Sequence, residues 1–172
     1  MLVKGARIRR DGYGRSTPVE ELLVGDQIFD PLIDRNVEIV DILSRTIRFA
    51  EKGHSLRAAF WPLRFGPFAL GPQMPQEVVH VSPGQTIFSV VRENGLTVLE
   101  QFSASELARQ SSSIQTCVMH EVEYIAIFTE LPQIMSANGL LLQSYSYAAL
   151  YSGGPQCGLL NQDDDRCSWD AV

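Results

Sequence analysis

Apolar and polar residues alternate along much of this chain in short runs, the pattern of half-buried β-strands. The segments 77–82 (EVVHVS), 85–91 (QTIFSVV), 96–101 (LTVLEQ), 115–128 (QTCVMHEVEYIAIF) and 139–146 (GLLLQSYS) are rich in β-branched and aromatic side chains. Such side chains fit a pleated surface packed against a core. Shorter runs at 7–10 (RIRR) and 26–31 (DQIFDP) read the same way. In 36–49 (NVEIVDILSRTIRF), period two puts Val37, Ile39, Asp41 and Leu43 on one face and Glu38, Val40 and Ile42 on the other. Turn chemistry separates the runs: RDGYG at 10–14, VGD at 24–26, SPGQ at 82–85, RENG at 92–95 and SANG at 136–139. Many short strands with frequent turns predict an all-β sandwich or a closed, barrel-like body.

Two short helices interrupt this pattern. In 17–23 (TPVEELL), Thr17 is placed as an N-cap, with Pro18 at the first helical position and Glu20 three residues on, as in a capping box. In 103–110 (SASELARQ), Ser103 precedes Ala104 and Glu106 in the same way. Residues 50–76 break the alternation. They hold Phe60, Trp61, Phe65 and Phe68 with Pro62, Pro67, Pro72 and Pro75, and read as a long excursion pinned by aromatic anchors that pack mainly into the core. Any of these aromatics left exposed would mark a partner surface. After residue 150 the chain turns Gly- and Asp-rich. The expected organisation is one domain over 1–150 and a loosely ordered tail over 151–172. Truncation after Tyr151 is expected to leave the thermal midpoint nearly unchanged. Asp163, Asp164 and Asp165 lack the spaced ligands of a calcium loop and read as part of a solvated tail.

Composition narrows the class. With 172 residues and 45% hydrophobic content the chain can bury a core without metals or disulfides. Its net charge of −6 repels phosphate backbones, so nucleic acid is not an expected partner. The basic stretch near the start is answered by Asp11, Glu20, Glu21 and Asp26. No apolar run approaches the ~20 residues that cross a bilayer, and no secretory signal is visible, so neither membrane insertion nor export is expected. A cytoplasmic location would follow if Met1 is the natural start. The cysteines, Cys117, Cys157 and Cys167, are odd in number, which argues against a full disulfide framework. Whether Cys157 and Cys167 bridge is left open. Scattered histidines and cysteines give no metal-ligand spacing, and no cofactor motif is present, so neither a metal nor a cofactor is expected.

Four segments, read in order, resemble the Hint domain shared by hedgehog autoprocessing regions and inteins, most closely its bacterial hedgehog/intein-like group; the first is GARIRRDGYGRSTPVEELLVGDQIF at 5–29. Gly5-Ala6-Arg7-Ile8 stands where the family has Gly-Thr-x-Ile. Val19-Glu20-Glu21-Leu22-Leu23-Val24-Gly25-Asp26-Gln27-Ile28 follows its VE-x-L-x-x-GD-x-V pattern. RFGPFALG at 64–71 is similar to RI-x-x-GALG, and VSPGQTIF at 81–88 to VSPDHALL. VEYIAIFTELPQIMSANGLLLQSY at 122–145 resembles the family's last strands. The likeness covers residues 1–147. It implies a compact, pseudo-symmetric all-β fold with long hairpins, in which the strand at Arg7–Arg10 lies near the turn at Ser82–Gln85. It also implies self-cleavage: a Cys at the first position attacks the preceding carbonyl, a His of the VSPDH block protonates the leaving amine, and a later His or Asp assists. Water, a sterol or a downstream residue then resolves the ester.

This sequence departs from that machinery at each position. The family nucleophile aligns with Met1, whose thioether has no proton to lose. If Met1 is the natural start, there is also no upstream bond to cleave. The block His aligns with Gln85, which keeps hydrogen bonds but does not titrate near neutral pH. The later His positions align with Ala126 and with Pro132-Gln133-Ile134, and the terminal His-Asn of splicing inteins has no counterpart, since Leu160 precedes Asn161. Ser82 remains able to bond the turn. Cys117 and His120 are three apart on a strand and so face opposite ways. His80 and Ser82 share a face and form the best remaining place for weak acid/base work. His54, in a loop-like stretch, is assigned no role. The expected function is non-catalytic: a scaffold or binding module for a protein partner or for flanking domains. The alternative is an active self-cleaving domain whose natural N-terminal Cys has been replaced by Met1, and a third is an unrelated all-β binding domain.

Overall fold

The computed structural model describes residues 1–49, 60–93 and 96–148. His54, Cys157, Cys167, Asn161, Asp163–Asp165 and the 151–172 tail lie outside them, as does the boundary placed at residue 150. The described strands are β1 (Leu2–Val3), β2 (Arg7–Arg9), β3 (Ser16–Pro18), β4 (Gln27–Asp30), β5 (Arg35–Glu38), β6 (Asp41–Arg48), β7 (Leu63–Phe65) and β8 (Val79–Val81). They continue with β9 (Thr86–Glu93), β10 (Leu96–Ser103), β11 (Ile114–Thr116), β12 (Glu121–Thr129), β13 (Ile134–Ala137), β14 (Leu140–Gln143) and β15 (Tyr145–Ser146). One α-helix is described, α1 (Ala104–Gln110). The fold is all-β.

A seven-stranded sheet runs β11-β7-β8-β1-β12-β15, with β6 also paired to β12; a six-stranded sheet runs β10-β9-β14-β13-β2-β3; β4 and β5 form a separate hairpin. Leu2, Ile8, Phe65, Val81, Ile87, Ile125, Ile127, Leu140 and Leu142 are buried in one main cluster fed by both sheets. β12 is buried along most of its length. Ile125 and Ile127 enter the main cluster, while Ala126 and Phe128 form a second one on the other face with Met1, Val40, Leu43, Tyr145 and Tyr147. Period-two alternation therefore sorts β12 between two apolar environments, which is why it reads as nearly continuous hydrophobic sequence.

One expected long hairpin is β9–β10, in register from Thr86↔Ser103 to Glu93↔Leu96. The other long antiparallel ladder joins β6 to β12, two segments far apart in the chain. The Asn138-Gly139 turn between β13 and β14 has φ of 51° and 84°, the left-handed pair that a tight two-residue hairpin requires. A Cβ on Gly139 would also stand 2.9 Å from Gln76 Cγ and N.

Two local expectations are corrected. Thr17 does not cap a helix: it pairs with Ile8 in the β2–β3 ladder, and only a 3-10 turn, Val19–Glu21, follows Pro18. The Glu20 carboxylate is drawn away to accept from Gly5 N at 2.9 Å. By contrast, α1 carries the full capping box between Ser103 and Glu106. The second correction is at residues 39–40, where the strand read over 36–49 breaks as the chain leaves the hairpin for the large sheet. Ile39 joins Val37 and Ile42 at the main cluster, whereas Val40 and Leu43 go to the second. Of the excursion aromatics, Phe65 is fully buried, Trp61 packs edge-on to Phe49 at 6.2 Å, and Phe68 is 60% exposed.

Candidate functional site

The site is built where two strands share one edge of β12. β6 pairs with Glu121 through Phe128, which occupies one edge continuously. The other edge is taken first by β1, with Leu2 opposite Ile125 and Val3 opposite Tyr124, and then by β15, with Tyr145 opposite Phe128. Met1 stands in the interval between them, and its side chain packs against the Ala126/Phe128 cluster.

The turn after β8 closes over this interval. Ser82 N donates to Met1 O at 2.8 Å and Gln85 N to Ser82 O at 3.0 Å. The start of α1 holds the turn from behind, through Ala104 N to Gln85 O and Ser105 N to Pro83 O, both 2.9 Å. The Met1 amino nitrogen then finds three acceptors: Ser82 Oγ at 2.8 Å, Gln85 Oε1 at 2.5 Å and Tyr145 Oη at 2.7 Å. Gln85 is 1% exposed, and its amide nitrogen donates to Thr86 O at 3.0 Å and Gln143 O at 2.9 Å. Those two bonds leave Oε1 as the atom that faces Met1.

Burial pushes the Met1 amino group down from 8.0 to about 4. The three acceptors act in the opposite sense, since each stabilises the ammonium form. Burial also pushes the Tyr145 phenol well above its ordinary range, against the pull of its bond with Ser82. Ser82 and Gln85 do not titrate. The side chains around residue 1 therefore bind and orient a nitrogen, and none of these three exchanges a proton near neutral pH.

Met1, Ser82 and Gln85, singled out in the sequence, thus meet at one point. Arg7–Arg9 shares the six-stranded sheet with the strand that leaves the turn, with β13 and β14 between them. His80 points elsewhere: its Nε2 lies 3.8 Å from Cys117 Sγ. Burial and then the charge of Arg64 lower its pKa. Ala126 is buried and Pro132 exposed. Tyr145 is not singled out by the sequence pattern. It lies within the quoted motif at 122–145, but nothing in the local pattern aims its hydroxyl at Met1. Two surface clefts of about 420 and 410 Å³ are lined by other residues, the first around Arg7, Arg9 and Asn138, the second around Arg35, Glu38 and Leu131. Among the described residues no three His, Cys, Asp or Glu side chains converge as metal ligands, and no helix is long and apolar enough to cross a membrane.

The Hint domain family model matches residues 2–149. The chain belongs to the Hint family. No curated protein matches it. Among solved structures it is similar to the MchDnaB-1 intein, at 10% identity over 84% of this chain and 99% of that one, with a TM-score of 0.47. It is also similar to the Msm DnaB1 intein splicing domain bound with zinc, at 10% identity over 85% and 100% with a TM-score of 0.45. A bacterial intein-like domain from Clostridium thermocellum matches at 10% identity over 83% and 96%, with a TM-score of 0.44. Membership places this domain in an autoprocessing family.

Proposed function

We propose that this Hint domain does not cleave itself and acts as a scaffold or binding module for a protein partner or flanking domains, its junction site turned into a structural socket. The observation that carries this reading is the pairing of Met1 with the Ala126/Phe128 cluster. At the two positions that resemble the family's Cys and later His, this chain has a thioether and a methyl group that belong to one apolar cluster. Gln85, at the position of the other His, is committed to two backbone carbonyls as well as to the nitrogen of Met1. Its amide can orient that nitrogen but cannot expel it as a leaving amine, which needs a proton donor.

A second reading, a self-cleaving domain in which Met1 replaces a natural Cys, is favoured by one feature: Ser82, Gln85 and Tyr145 still surround the nitrogen of residue 1. One experiment separates the two. A reporter domain is fused ahead of residue 1 and the fusion is incubated with dithiothreitol or hydroxylamine, which capture any thioester. Intact mass is expected to show no cleavage. Met1→Cys alone is expected to give at most slow thiol-dependent cleavage. Adding Gln85→His is expected to raise that rate towards the ~10²–10⁴-fold that one positioned acid/base group supplies. Cleavage of the unsubstituted fusion would overturn the non-catalytic reading.

A further inference from the structure

The outer face of the large sheet carries a second arrangement of reactive groups. The β11–β7 and β7–β8 ladders place Gln115, Arg64 and His80 in one row, Gln115 opposite Arg64 and Arg64 opposite His80. Their neighbours Leu63, Phe65, Val79 and Val81 point the other way, into the main cluster. Cys117 is two residues beyond Gln115 and so returns to the outer face. Its N–H donates to Pro62 O at 2.8 Å, which extends the ladder by one residue and fixes the position of the thiol. The imidazole of His80 reaches across diagonally to bring Nε2 within 3.8 Å of Sγ. Both side chains are part-buried, neither sealed in the core nor free in solvent. The Cys is a free thiol.

We propose that Cys117 and His80 form a nucleophilic thiol site, separate from the socket at Met1, that exchanges with small anionic disulfides. His80 Nε2 takes the thiol proton. The sulfur then attacks one sulfur of a disulfide R–S–S–R, a protein–S–S–R bond forms, and the R–S–S–R bond breaks. The departing thiolate takes the proton back from the imidazolium and leaves as RSH. Cys117 is oxidised to the mixed disulfide and one half of the reagent is reduced to thiol, so the electrons balance. Arg64 supplies the selectivity, because its positive charge beside the imidazole attracts carboxylate-bearing reagents and repels cationic ones.

The surroundings decide which protonation state waits there. Arg64 is the charged group that acts on His80. On the other side of the row stand Val3 and Tyr124 from β1 and β12, whose phenol burial pushes up and which therefore adds no charge. Burial and Arg64 both disfavour the imidazolium, so His80 rests neutral and able to accept a proton. This favours base-assisted attack over a standing thiolate–imidazolium pair.

The test uses the full chain, glutathione disulfide as the anionic probe and cystamine as the cationic one, with adducts at Cys117 followed by peptide mass. At pH 7 the folded chain is expected to gain the glutathione adduct at Cys117 at least about ten-fold faster than the urea-unfolded chain, in keeping with one positioned base. The corresponding gain for cystamine is expected to be smaller. His80→Gln is expected to return Cys117 to the unfolded rate without moving the thermal midpoint. Arg64→Gln is expected to keep the fast reaction, erase the preference for the anionic probe and shift the pH rise upward, because a cation that opposes imidazolium has been removed. A folded Cys117 no faster than the unfolded one, or a rate untouched by His80→Gln, would overturn the proposal. If His80→Gln fails to fold, an unchanged probe preference and pH profile in Arg64→Gln would overturn it instead.

Discussion

Gln85→Leu is the substitution that most directly tests the socket. Leucine is similar in size and suits a site that is 1% exposed, so the change removes polarity without opening a large cavity. It deletes two donated bonds, to Thr86 O and Gln143 O, one accepted from Met1 N, and a long one accepted from Tyr145 Oη at 3.5 Å. Each neutral bond contributes about 0.5–1.5 kcal/mol, and a buried group left without its partner costs about 1–3 kcal/mol. The Thr86 and Gln143 carbonyls belong to ladder strands and keep a second lone pair, so each is placed at the low end, about 1 kcal/mol. The Met1 nitrogen keeps Ser82 and Tyr145 and loses its shortest bond, roughly another 1–2 kcal/mol. Burying the leucine side chain offsets about 1 kcal/mol of this. The net cost is about 2–3 kcal/mol, against a total stability of roughly 5–15 kcal/mol for a domain. With a urea slope of about 1–3 kcal/mol per molar, the midpoint is expected to fall by about 0.7–3 M. Gln85→His, which keeps a donor and an acceptor, is expected to lose less than half as much. Urea titration followed by circular dichroism reads both. A midpoint shift below about 0.3 M for Gln85→Leu would refute the claim that these bonds hold the turn.

Three further outcomes follow from the geometry. In a chain whose first residue is Met1, the amine is about 4 when folded and 8.0 when free, so the unfolded state binds more protons in between. Stability is then complete above pH 8 and declines as pH falls towards 4, by at most about 1.4 kcal/mol per pH unit. Urea midpoints at pH 7 and 8.5 should differ by the equivalent of about 1 kcal/mol, and N-acetylation should abolish the difference. A flat profile in the unacetylated chain would mean that the three acceptors hold an ammonium ion after all. Gly139→Ala combines a positive φ with contacts of 2.9 Å to Gln76, whereas Gly5→Ala has the positive φ and open space. The first is expected to lower stability by about 2–4 kcal/mol and the second by about 1–2 kcal/mol, and equal costs would refute the steric argument. Ser103→Ala is expected to cost about 0.5–2 kcal/mol in the same urea assay through loss of the α1 capping box, and no measurable loss would contradict it.

What the residues alone determined was local. Alternation at 85–91 and 96–101, the Asn138-Gly139 turn and the Ser103–Glu106 capping box each depend on spacings of two to four residues, and each is present in the fold. The ordered Hint-like segments carried the reading further and singled out Met1, Ser82 and Gln85. Tertiary structure alone decided which residues meet. Thr17 follows its strand partner Ile8 instead of a helix, because a ladder partner outweighs the weak preference for a cap. The strand read over 36–49 divides at 39–40, because its two halves pair with different sheets. Tyr145 reaches the nitrogen of Met1 across 144 residues, and His80 reaches Cys117 across 37. Such encounters depend on strand order and register, and a shift of one residue in either would turn these side chains to the opposite face.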